Sequence, residues 1–136
     1  MSSITLGEAQ KVLEAALRKA EEISSPSSIA VLDEGRELLA FARQPGALLA
    51  SIEISISKAY TARSMNMNTG DIGPMTQPGQ PLFGLETTHR HALVTFAGGR
   101  PLRVGDEIVG AVGVAGGTVD QDDEIAAAAA TSMPQA

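Results

Sequence analysis

The sequence predicts an α+β domain in which an antiparallel sheet of about five strands is packed with helices. Three observations point there. Apolar residues recur at helical spacing at both ends of the chain. Short β-rich runs come in pairs divided by tight-turn residues, and the helical patterns stand apart from those runs, which favours an antiparallel sheet over alternating βαβ units. With 136 residues, the chain fits one domain, residues 1–136, around one core.

The elements follow in order. Thr5-Leu6-Gly7-Glu8 has the form of a capping box, in which a hydroxyl and a carboxylate satisfy each other's exposed amides. From Leu6, the residues Ala9, Val12, Leu13, Ala16, Leu17, Ala20 and Ile23 mark one helical face, and Pro26 ends it. Residues 28–32 and 37–43 read as a β-hairpin across Asp33-Glu34-Gly35, closed by Gln44-Pro45-Gly46. Residues 47–65 present two periods. Ile52, Ile54 and Ile56 alternate as in a strand, whereas Leu48, Leu49, Ile52, Ile56, Ala59, Tyr60 and Arg63 fit a helix. The unbroken length decides for the helix.

Between residues 66 and 84 periodicity is lost among Gly70, Gly73, Pro74, Pro78, Gly79, Pro81 and Gly84. A loop of that length in a small domain is functional or disordered, and Ile72, Met75, Leu82 and Phe83 favour an ordered one. Three strands are expected next, over residues 92–96, 101–104 and 108–114. The first and third end at the double glycines Gly98-Gly99 and Gly116-Gly117. An alanine-rich helix over residues 118–133 closes the chain, with Asp120, Asp122, Asp123 and Glu124 complementing its positive pole.

Composition excludes several classes of function. The net charge is −6, and the ten basic residues are scattered, only Arg18 and Lys19 being adjacent, whereas a phosphate backbone needs them clustered. Phe41, Phe83, Phe96 and Tyr60 are the only large rings, too few for a base-stacking platform. No nucleic-acid partner is expected. There is no cysteine, hence no disulfide or thiolate chemistry. No apolar run approaches a membrane span and no secretory leader is recognisable, so a cytoplasmic protein without a membrane partner is expected.

The candidate chemistry is limited. The Gly70 to Gly84 stretch and the two double-glycine corners read as a small-ligand site, because glycine permits close backbone approach. The same corners also suit plain strand ends. Asp120, Asp122 and Asp123 disfavour phosphate at the last helix, and no phosphate loop or dinucleotide fingerprint is present. His89 and His91 flank Arg90. On a strand both imidazoles would share a face and meet one metal, one haem iron or one substrate. Lys58 would serve as a base or Schiff-base amine if partly buried, or else pair with an acid. Residues 126–130, all alanine, offer a smooth surface for another helix or a second subunit.

Taken in order, Ser28-Ile29-Ala30-Val31-Leu32-Asp33, Lys58-Ala59-Tyr60-Thr61-Ala62, Gln77-Pro78-Gly79-Gln80-Pro81-Leu82-Phe83-Gly84 and Gly110-Ala111-Val112-Gly113-Val114-Ala115-Gly116-Gly117 resemble the GlcG/HbpS-like haem-binding family. That family includes the C-terminal domain of PduO-type proteins. The resemblance implies a profilin-like α/β/α arrangement, a homo-oligomer, and a site lined by Lys58, Thr61, Gly79, Phe83, Gly84, Gly116 and Gly117. Thr88-His89-Arg90-His91 departs from the small or amide residues usual there. The expected function is a haem or small-molecule binding protein serving as an accessory factor in a catabolic or biosynthetic pathway. The alternative is a cofactor-independent isomerase, lyase or cyclase acting on an organic acid or carbonyl compound. In that case Lys58 or His89 would be the base, and Arg90 or glycine amides would hold negative charge.

Overall fold

In the computed structural model, which describes residues 2–134, the capping box forms. The Thr5 hydroxyl accepts from the Glu8 amide at 3.1 Å and the Glu8 carboxylate accepts from the Thr5 amide at 2.9 Å. It starts α1 (Leu6–Glu22), which buries Ala9, Val12, Ala16 and Ala20. The expected hairpin follows as β1 (Ser28–Asp33) and β2 (Leu38–Arg43), and then come α2 (Ser51–Met65) and a short α3 (Thr69–Ile72). Single 3-10 turns occupy Gly73–Thr76 and Leu85–Thr87. The chain finishes with β3 (Gly99–Val104), β4 (Glu107–Ala115) and α4 (Val119–Thr131). Among the described residues, no helix is long and apolar enough to cross a membrane.

The sheet has four antiparallel strands in the order β2-β1-β4-β3, one fewer than about five. Strand alternation divides its side chains between two helical layers. Ile29, Val31, Val112 and Val114 pack with α1 and α4, while Ala30, Leu32 and Ala111 meet Ala59 and Ala62 of α2. The alanine-rich α4 finds its partner inside the chain. Ala126 and Ala129 are fully buried in the cluster that holds Ala9, Ala16 and Ala20 of α1.

The missing strand is residues 92–96. Leu93 and Val94 are buried, as a strand reading requires, but the segment lies against α2 instead of joining the sheet. The Val94 amide donates to the Thr61 hydroxyl at 2.9 Å. A short apolar run has the same composition whether a ladder or a helix covers it, and here one side-chain hydroxyl supplies the hydrogen bond.

The α2 helix is present but begins at Ser51, and its buried face differs from the expected one. Ser51, Ser55, Lys58, Ala59, Thr61 and Ala62 are buried, whereas Ile52, Ile54 and Ile56 are only half-buried. The face is chosen by size. A Cβ at Gly113 of β4 would lie 2.6 Å from the Ala59 amide nitrogen and would overlap the Ser55 carbonyl. Helix backbone therefore rests directly on strand backbone, and only small residues fit the seam. Ser55 satisfies its hydroxyl on the Ile52 carbonyl at 2.9 Å.

Candidate functional site

Three segments converge on a cleft of about 520 Å³ beside α2. Tyr60 comes from α2, Arg36 from the β1–β2 turn, and His89, Arg90 and His91 from the irregular segment before β3. The turn is set by Asp33, whose Oδ1 accepts from the amides of Gly35 and Glu37, both at 2.9 Å. This puts Arg36 at φ 71°, in the left-handed region. Its guanidinium lies 4.7 Å from the centre of the Tyr60 ring. Its Nη1 donates to the Tyr60 hydroxyl at 3.2 Å and to the Ser64 hydroxyl at 3.1 Å.

Both histidines reach the same tyrosine. His89 meets it edge-on with ring centres 6.0 Å apart, and His91 does so at 4.9 Å. The expected route is corrected, because residues 88–96 contain no strand. Bends bring the two rings together, and Thr88 hydrogen-bonds His89 Nδ1 at 2.8 Å. Beside the cleft lies an apolar crevice of about 50 Å³ whose walls include Leu32, Leu38, Ile56 and His91. Among the described residues, no group of three or more His, Cys, Asp or Glu gathers to hold a metal ion.

The other candidates lie elsewhere. Lys58 is fully buried. Its Nζ donates to the Val114 carbonyl at 2.8 Å and to Asp122 Oδ2 at 2.9 Å, and stands 5.1 Å from the centre of the Phe96 ring. Burial pulls its pKa below the ordinary lysine value, and the charge and hydrogen bond of Asp122 oppose that pull. A base role for Lys58 would first have to break this pair. Thr61 is internal, donating to the Ser57 carbonyl at 2.7 Å while it accepts from Val94.

The double-glycine corners are occupied by the protein's own atoms. A Cβ at Gly98 would lie 2.6 Å from Lys58 Nζ, and one at Gly116 would lie 2.6 Å from the Pro26 carbonyl. Gly117 donates its amide to Asp122 Oδ1 at 2.9 Å. Only at the outer rim does this region open, in a crevice of about 120 Å³ whose lining includes Leu48, Phe96, Gly116, Gly117 and Val119. Gly79 and Gly84 have φ of 85° and 90° with open space around them, and Phe83 beside them is 66% exposed. None of these three lines the histidine cleft.

The structure thus unites His89, Arg90 and His91 and adds Tyr60 and Arg36, which residue-by-residue reasoning did not select. Tyr60 stands in the Lys58-Ala59-Tyr60-Thr61-Ala62 motif, which is its only signal. Arg36 has none, because its partners are 24 and 28 positions away.

Comparison with known proteins agrees with this architecture. The chain is 41% identical over 122 residues to an uncharacterised 15.0 kDa protein of the dhaT-dhaS intergenic region of Citrobacter freundii, covering 90% of this chain and 86% of that one. It is 35% identical to the corrinoid adenosyltransferase PduO of the same organism, matching 96% of this chain but spanning only 39% of that protein's length. Among solved structures, Klebsiella pneumoniae ORFY superimposes with a TM-score of 0.94 at 38% identity, covering 97% of this chain and 91% of that one. A crystal structure of a PduOC:haem complex does so with 0.91 at 31%, covering 96% and 95%. The family model described as haem degrading protein HbpS-like matches residues 4–131. Nearly the whole described domain lies within that match, and the chain belongs to the HbpS-like family.

Proposed function

We propose that this protein binds haem in the cleft formed by Arg36, Tyr60 and the His89–His91 segment, as an accessory factor in a metabolic pathway. The observation that carries the reading is the convergence of both histidines on Tyr60 in a cleft that also holds two arginines. The donor set suits the group. Imidazole and phenolate both ligate haem iron, the crevice at Leu32, Leu38 and Ile56 supplies an apolar wall, and the guanidinium groups of Arg36 and Arg90 complement carboxylates. His91 is the favoured ligand because it alone of the two histidines borders both the cleft and the crevice. Bound haem would supply redox or oxygen chemistry, while these residues hold it and tune its environment. The haem complex of PduOC supports the reading as a property of a relative.

Hemin titration followed in the Soret region tests it. The wild type should show a shifted, saturable band. H91A should weaken binding by about tenfold or more and move the band, since even outer-sphere losses reach that size at metal sites. H89A should weaken binding without moving the band. Absence of a Soret change in the wild type, or an unchanged one in the H89A/H91A double variant, would rule out the assignment.

A further inference from the structure

We propose that Arg36 is a preorganised carboxylate anchor, and that the cleft recognises its occupant by an acid group as well as by the ring donors. The inference rests in part on the haem reading, because it assigns a subsite of the same cleft. It starts from the backbone. Arg36 occupies the left-handed region at φ 71°, where a side chain is disfavoured and glycine is the ordinary choice. Gly35 is the immediate neighbour, yet the strained position carries the long cationic residue. Such outliers concentrate where the conformation serves a site.

Arg36 is exposed, and contacts to α2 hold its side chain. The Tyr60 and Ser64 hydroxyls accept from Nη1, and the Tyr60 ring supports the guanidinium face. No described hydrogen bond uses the Nε or Nη2 donors, and no described ion pair includes Arg36 or Arg90. Two acids lie nearby, Glu37 in the same cleft and Glu34 in the adjoining pocket that Arg36 also lines, and neither pairs with Arg36 or Arg90. The contrast within the chain is direct. Arg100 grips Asp123 through Nε and Nη2 at 3.0 and 2.7 Å, which is the two-pronged geometry that Arg36 holds in reserve. A guanidinium whose rotamer is already set forms that fork with little further ordering. The cleft thus presents a charge-complementary edge to a carboxylate, in a protein whose overall net charge is −6.

The carboxylate has two possible sources, a haem propionate or a free organic acid, and the experiment separates them. One arm compares hemin with hemin dimethyl ester, whose propionates are masked, on wild type, R36Q and R36K. The other titrates succinate into haem-free protein by calorimetry. Glutamine is no worse than arginine at this φ, so R36Q should fold, and near-ultraviolet circular dichroism checks that it has. If the acid comes from haem, the wild type should prefer hemin over the ester by about tenfold, the worth of one charge-assisted pair. R36Q should erase that preference and R36K restore only part of it, with the Soret maximum unmoved. If the acid is free, succinate should bind the wild type and not R36Q. The proposal is overturned if hemin and ester bind the wild type equally and succinate does not bind, or if R36Q preserves every preference. Should hemin produce no Soret change at all, the haem reading alone fails and the succinate arm still decides the carboxylate subsite.

Discussion

Replacing Asp122 with alanine should destabilise the domain by about 3–5 kcal/mol, the cost of leaving a buried charge without its partner. The Lys58 and Asp122 side chains are 1% and 4% exposed, with Nζ 2.9 Å from Oδ2. Asp122 also accepts the Gly117 amide through its other oxygen, so the variant would orphan that amide and leave the Lys58 ammonium with only the Val114 carbonyl. Against a typical total stability of about 5–15 kcal/mol, that loss is large. The double variant K58M/D122A should recover much of it, since removing both charges also removes the desolvation penalty. Urea unfolding of the two single variants and the double variant measures the coupling. A D122A loss below about 1 kcal/mol, the range of exposed pairs, would mean that water reaches the pair and that its burial here is misread.

Gly113→Ala should be the most damaging single-methyl change in the chain. Gly113 pairs with both Ala30 and Gly99 in the middle of the sheet, and the new Cβ would meet main-chain atoms of Ser55 and Ala59. Backbone cannot turn aside as a side chain can, so α2 must lift off β4. Overpacking costs about 1–3 kcal/mol where side chains give way, and occasionally more; this variant should reach or exceed the upper end. Gly79→Ala is the internal comparison. It has open space and φ 85°, so only the conformational penalty of about 1 kcal/mol applies. Parallel denaturation curves would decide, and equal losses at the two positions would refute the backbone-contact account.

These contacts also explain which parts of the molecule were legible beforehand. The α1 cap, the β1–β2 hairpin and α4 were readable because their signals are local, lying within a few residues of the element they define. Hydropathy misplaced the α2 face because close approach to Gly113 selects serine and alanine over isoleucine. It also turned residues 92–96 into a strand, because burial by a helix and burial by a sheet leave the same apolar signature. The histidine pair was noticed through its rarity, but its meeting with Tyr60 depends on bends that carry no period. Arg36 was invisible, since an arginine in a polar turn looks solvated until α2 is docked beneath it.

The Lys58–Asp122 pair has a consequence for the order in which the domain assembles. Its members are 64 residues apart in sequence, and the ammonium also needs the Val114 carbonyl. The Val114 bond needs α2 against the end of β4 and the Asp122 bond needs α4 as well, so the set closes only when all three elements have met. A contact of that span should form late in folding, after the transition state. The stability lost in D122A should therefore emerge chiefly as faster unfolding, with the refolding rate little changed. The pair acts as a latch on the finished domain, setting how long a molecule stays folded more than how quickly it gets there.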